Sequence, residues 1–217
     1  MSETLAGKRT FAFDLTNGAA GTLTACFFAG QLLGAGKYSR ALILASEVEN
    51  NATSWPGHLL GLKETASVLL LEEGTSGFTA FGFRTFPEHV GCLEAFTVAH
   101  NKLAALDHRQ DPELDTVFQE CIRATVAEFL AKVGLDASAI RWFLLPQRSA
   151  DFVTKLAESL AVPSERVALA TDGRRDYFTS SLAYSFEQVR AQFTSGDLVL
   201  MVEVAAGVQV VCGLYQV

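Results

Sequence analysis

Apolar residues in this chain fall into two kinds of run. Short continuous stretches predict strands: FAFDL at 11–15, RALILASEV at 40–48 and ASVLLLEE at 66–73. The second has almost no polar interruption, as expected for a strand covered on both faces. Between the first two, GTLTACFFAGQLLGAG at 21–36 is small or apolar nearly all round and predicts a helix buried on most sides. Residues 74–112 keep no single period. After the turn from Gly74 to Gly77, FTAFGFRTF alternates like an exposed strand, FPEHVG breaks it, and the segment reads as irregular. Helical spacing resumes in ELDTVFQECIRATVAEFLAKVG at 113–134, with Gly134 as its stop. RWFLLPQ (141–147) predicts a strand, SADFVTKLAESLAV (149–162) a helix and RVALA (166–170) a short strand. TSSLAYSFEQVRAQF (179–193) predicts a helix capped by Thr179 or Ser180. LVLMVEV (198–204) and GVQVVCGLYQV (207–217) then form an antiparallel pair, joined through Ala205, Ala206 and Gly207.

The closing helix–strand–strand repeats the order of 19–36, 40–48 and 66–73. The later copy is preceded by helix, strand, helix and strand, the earlier one by a single strand. The chain therefore reads as one and a half copies of a β/α unit in an α/β fold. Its expected divisions are a partial N-terminal half (1–85), a connecting segment (86–112) and a C-terminal half (113–217).

Composition narrows the partners. With 217 residues and 49% apolar content there is enough material for one sizeable core or two modest ones. Charged residues make up 19%, below the usual quarter, which points to surface covered by a partner. A net charge of −7 without a basic run argues against nucleic acid or anionic membrane as partners. MSETLAGKRT lacks the apolar core of a signal peptide and no apolar run could span a bilayer, so a cytoplasmic location is expected. Cys26, Cys92, Cys121 and Cys212 have no metal-type spacing and read as reduced thiols.

FDLTNGAAG (13–21) is a strand end running through a glycine turn into a helix, a junction where the free N–H groups of a helix tip stabilise an anion. Here Gly18, Ala19, Ala20 and Gly21 offer no nucleophile. With this junction, GQLLGAGKYSRALILASE (30–47), WFLLPQ (142–147) and GDLVLMVEVAAGVQVVCGLY (196–215), the chain resembles the thiolase superfamily, in its β-ketoacyl-acyl-carrier-protein synthase III branch. The resemblance implies a layered α/β/α fold with a complete C-terminal βαβαβαββ half and an incomplete N-terminal half. It also implies an acyl-condensing reaction by a cysteine at the helix start, supported by a histidine and an asparagine. Those positions fall on Ala19, Gln147 and, within a residue or two, Asp176. A methyl group forms no thioester. Glutamine carries no titratable proton. An ionised aspartate repels a developing oxyanion. No catalytic residue or metal ligand is therefore expected intact.

The family carries a further strand–helix–strand–helix ahead of the segment matched at Phe11, so apolar strands here have open edges. The resemblance places Phe11, Phe13, Leu15, Thr16 and Asn17 at a subunit interface, with a catalytic ketoacyl synthase-like subunit or a second copy as partner. No cofactor is implied beyond phosphopantetheine-linked acyl groups, as acyl-CoA or acyl-carrier protein, bound by the complex. Arg174, Arg175 and Ser149 are candidate contacts for that arm or carrier. GLKETAS (61–67) keeps only Gly61 of the family's glycine-rich turn. Cys26, two turns beyond Ala19, is a core thiol without a base. His58, His89, His100 and His108 are scattered, and Asp107, His108 and Ser149 lack the spacing of a triad. Three readings follow: a non-catalytic subunit shaping a partner's acyl pocket; an enzyme working without cysteine, with Gln147, Ser149 or Asp176 orienting the acyl group; and a homodimeric module that holds acyl chains.

Overall fold

The computed structural model describes residues 10–48, 62–100, 103–171, 175–205 and 207–217. A four-stranded sheet forms its centre, built from β3 (Gly77–Thr85), β8 (Gln209–Gln216), β7 (Leu198–Ala205) and β6 (Trp142–Leu144), in that spatial order. β6 runs parallel to β7, while β7–β8 and β8–β3 are antiparallel. Alternation sorts the side chains of this sheet to two cores. Phe143, Leu200, Val202 and Val204 pack under α2 (Leu114–Val133) and α3 (Ala150–Ser159). Trp142, Leu144, Val199 and Met201 face the other way, toward α1 (Gly21–Gly34) and α4 (Ser181–Val189).

A separate antiparallel pair, β1 (Arg40–Glu47) and β2 (Thr65–Glu72), covers the far side of α1 and α4. The layers are thus β1–β2, then the α1/α4 pair, then the four-stranded sheet, then α2/α3. α1 opens with Ala20 to Thr24 buried without a break, as its sequence predicts. Gly134 ends α2 at φ +71°, where a left-handed residue lets the last carbonyls find donors.

Several expectations change. Residues 11–15 form no strand: among the described residues their backbone has no partner, and a strand exists only through its neighbour's hydrogen bonds. β1 is not covered on both faces; Leu42 and Leu44 point outward, because no described element lies over them. Residues 74–112 are not irregular. They hold β3 and a hairpin of β4 (Leu93–His100) and β5 (Leu103–Gln110), with His100 and His108 on its two strands. β3 is bonded to β8, so it goes with the C-terminal sheet although it precedes residue 85. The strand at 166–170 shrinks to one bridge, Phe143 to Val167. Ser180 holds the N-cap position of α4 but makes no side-chain capping hydrogen bond; the helix continues from a 3-10 turn over Phe178–Ser180.

β3 meets α2 with almost no clearance at Gly82. A Cβ there would sit 2.6 Å from Cδ2 of the buried Phe129 ring. Gly82→Ala should therefore lower stability by about 1–3 kcal/mol in urea unfolding, and adding Phe129→Leu should recover part of the loss.

Candidate functional site

The three positions singled out from sequence come together where the two central helices begin. Ala19, half-buried, lies in a 3-10 turn, Gly18–Ala20, that feeds directly into α1. Gly18 has φ +48°, a value that glycine adopts without penalty. Asn17, expected at an interface, is turned inward: its amide donates to Thr24 Oγ1 at 2.9 Å and Gln209 Oε1 at 2.8 Å. This turn packs against the turn before α4, and Thr22 Oγ1 donates to the Thr179 carbonyl.

Gln147 ends the β6 segment and is completely buried. Its Nε2 donates to the carbonyls of Leu145 (2.8 Å) and Ala168 (3.0 Å), and its Oε1 accepts from the N–H groups of Ala170 (2.8 Å) and Thr171 (3.2 Å). A glutamine amide has two donors and one carbonyl with two lone pairs, so nothing is left for a substrate. Its backbone N–H donates to Ser181 Oγ at 2.7 Å, and its backbone carbonyl accepts from Tyr177 N–H at 3.3 Å.

Asp176 sits in the loop before α4. Its Oδ1 accepts from Phe178 N–H at 2.7 Å, which steadies a non-glycine residue at φ +46°. Its Oδ2 pairs with Arg148 Nη1 at 3.2 Å, and Arg148 also holds Asp115 at 2.9 Å. Burial pushes the Asp176 carboxyl up, opposed by the Arg148 charge and the Phe178 N–H.

Two buried carboxyls here escape a motif reading. Glu203 lies in the middle of β7, and its Oε2 has no hydrogen-bond partner among the described residues. Burial drives its pKa well up; nearby Asp176 adds to this, and a hydrogen bond with Ser181 opposes it. Glu47, at the end of β1, accepts from Thr179 N–H at 3.2 Å and from the Thr179 hydroxyl. Desolvation raises it too, ahead of the lowering by Thr179. The signal available beforehand was a lone acid in each apolar strand, LVLMVEV and ALILASE. Ser180, Ser181 and Ser185 complete a polar knot inside an apolar layer.

Beside the knot is a cavity of about 130 Å³ lined mainly by Cys26, Leu69, Leu71, Leu182, Met201 and Tyr215. Burial pushes the Cys26 thiol up to about 12, so it is not a nucleophile. Ser149 caps α3, accepting from Phe152 N–H at 3.1 Å. Arg175 is exposed, whereas Arg174 and His58 lie outside the described residues. Phe11 and Phe13 are exposed with their rings 5.3 Å apart, Leu15 is half-buried and Thr16 exposed. No group of three or more metal-ligating side chains occurs among the described residues. None of the described helices is long and apolar enough to cross a membrane.

Residues 130–217 match the family described as 3-oxoacyl-[acyl-carrier-protein] synthase III C terminal. The chain is 22% identical over 218 residues to a β-ketoacyl-[acyl-carrier-protein] synthase III of Ehrlichia ruminantium, covering 93% of this chain and 66% of that protein. The corresponding protein of Methylococcus capsulatus is 24% identical over 212 residues, covering 93% and 65%. The chain thus spans just under two thirds of these relatives' length. Among solved structures, the 3-oxoacyl-[acyl-carrier-protein] synthase III of Aquifex aeolicus matches with a TM-score of 0.80 at 19% identity, covering 97% of this chain and 68% of that one. OleA of Xanthomonas campestris, in a variant form, matches at 0.84 and 13% identity, covering 100% and 69%.

Two substitutions probe the knot. Gln147→Leu should cost about 2–4 kcal/mol in chemical denaturation, because the buried carbonyls of Leu145 and Ala168 lose their donors. Unchanged stability would mean that the amide is not the structural clamp described. Because burial raises Glu203, the folded chain keeps a proton that the unfolded chain releases above its ordinary value of about 4.5. Stability from this group is thus greatest below that pH and falls as pH rises toward the folded value. Glu203→Gln should flatten the fall, raising Tm at pH 8 more than at pH 5 in parallel melts.

Proposed function

We propose that this chain, a thiolase-superfamily protein of the β-ketoacyl synthase III type, is a non-condensing subunit. In this reading it stabilises and shapes the acyl pocket of a catalytic partner in fatty-acid or polyketide-type biosynthesis. The observation that carries the proposal is the saturation of Gln147. The position that matches the family's histidine holds a side chain whose every donor and lone pair is committed to the backbone of 145–171. Ala19 cannot form a thioester, and Asp176 is engaged by Arg148 and Phe178 rather than directed at an acyl carbonyl. The helix tip that would stabilise an oxyanion remains, since packing against the 178–180 turn demands it whether or not chemistry occurs.

The partner is a ketoacyl synthase-like subunit that meets this chain along 10–17, where Phe11 and Phe13 are 60% and 55% exposed. Acyl groups reach the complex on phosphopantetheine, from acyl-CoA or acyl-carrier protein, and Arg174, Arg175 and Ser149 are the candidate contacts for that arm or the carrier's surface. The alternative is an acyltransferase or condensing enzyme that works without cysteine in the same layer. One observation favours it: the apolar cavity beside the knot is lined by side chains suited to an acyl chain.

Incubating the purified chain with acyl-CoA and malonyl-carrier protein should leave its intact mass unchanged and yield no condensation product. A thioester adduct, or turnover that Asp176→Ala abolishes, would establish the alternative.

A further inference from the structure

Native interiors keep few voids larger than a water molecule, because the atoms around a void lose contacts on that side. The layer between the two sheets nonetheless keeps a cavity of about 130 Å³. Its floor is Cys26 of α1, Leu182 of α4 and Met201 of β7, each 1–3% exposed. Leu69 and Leu71 of β2 close it from one sheet. Phe78, Tyr215 and Phe186 close it from the other sheet and from α4. Tyr215 meets both neighbouring rings edge to face, at 5.4 Å from Phe78 and 5.9 Å from Phe186, so this wall is held by its own contacts. The room comes largely from one position. Leu23, one turn before Cys26 on α1, is equally buried but large, whereas position 26 carries only a thiol.

The lining selects its guest by chemistry. None of the described residues around the cavity carries a charge, and the Tyr215 hydroxyl and the Cys26 thiol are its polar side-chain groups. Burial keeps that thiol neutral, at about 12. A charged headgroup entering here would lose water and gain no partner. An apolar cavity, by contrast, stays dry and rewards an apolar guest; one of about 150 Å³ takes up benzene. The Met201 thioether adds a polarizable contact that suits both rings and chains. The cavity is also set back from the helix tip: Cys26 follows Ala19 by seven residues, about 10 Å along the helix axis.

We infer that this cavity is a binding site for one uncharged hydrocarbon group of about six carbons, a ring or a short chain. The guest would lie between β2 and the Phe78–Tyr215–Phe186 wall, touching both sheets and both central helices. It thereby ties the β1–β2 pair to the rest of the fold. The inference concerns the cavity alone and holds whether or not the chain condenses acyl groups.

The test uses a reporter already in the floor. Met201 is the only methionine besides Met1, so labelling methionine methyls with carbon-13 gives a single core resonance at the cavity. Titrating the purified chain with benzene and with 1-hexanol should move that resonance saturably. Hexanoate at pH 8 should bind at least tenfold more weakly than 1-hexanol. Tm should rise by about 3–6 °C when a guest is at tenfold its dissociation constant. Saturation by one guest alone supports the site and decides between ring and chain. Cys26→Leu should fill the space and weaken both guests at least tenfold while the variant stays folded. Leu71→Phe narrows the cavity from the other sheet and should do the same, which keeps the test open if Cys26→Leu unfolds. Three results would overturn the inference: a Met201 resonance that neither guest moves up to its solubility limit, a shift unchanged in the folded variants, or hexanoate binding as tightly as 1-hexanol.

Discussion

The first turns of α1 have no polar side to give to water. From Ala20 to Thr24 every residue is buried, so the helix must be covered all round, and a single sheet can cover only one side. The second cover is β1–β2, and the result is a helical layer shared between two sheets. Close approach makes this possible: a Cβ at Gly213 in β8 would lie 3.0 Å from Leu23 Cδ1 and 3.1 Å from Phe78 Cε1, so only glycine lets α1 settle onto that strand. Once α1 and α4 are enclosed, their N-terminal turns also lie inside. Their backbone and side-chain polar groups must then find partners within the protein, since an unmet buried donor or acceptor costs about 1–3 kcal/mol.

That requirement explains the character of the knot. Gln147, Ser181, Thr179 and Glu47 satisfy one another and the turns at 145–147, 168–171 and 176–181, while Glu203 Oε2 has no hydrogen-bond partner among the described residues. A catalytic constellation needs donors aimed at an absent substrate, and such donors are unsatisfied until it binds. Here the Gln147 amide is fully engaged with the backbone of 145–171. The geometry of a helix tip survives beside it because the tip is also a packing element.

The same layering exposes an asymmetry between the halves. The β6–β7–β8 part of the four-stranded sheet is buried on both faces, so most of its hydrophobic residues are spent within the chain. β1–β2 has one finished face and one aliphatic face in water, with exposure of Leu42, Val68 and Leu70 above half. A patch of this kind on a protein with only 19% charged residues is a surface suited to contact.

Much of this was legible in sequence wherever a local rule governed the outcome. The apolar period of 114–133 and the glycine after it specify α2 and its end, because both act within one or two turns of chain. Strands β7 and β8 follow from their apolar runs and the short turn between them. The meeting of Ala19 with a helix tip was readable for the same reason. What needed the tertiary structure lay across long separations. FAFDL has the composition of a strand, but its strandhood depends on a neighbour that the sequence could not supply. LEAFTVAH and LAALDHRQ pair through backbone bonds that leave little side-chain signature. RALILASE is apolar on both faces, yet only the position of other elements decides which face is covered. Gln147 shows the division most plainly. Its sequence states an amide with four hydrogen-bonding opportunities; that three of the four go to groups 21 to 24 residues away is a property of the folded chain alone, because burial there removed water as the competing partner.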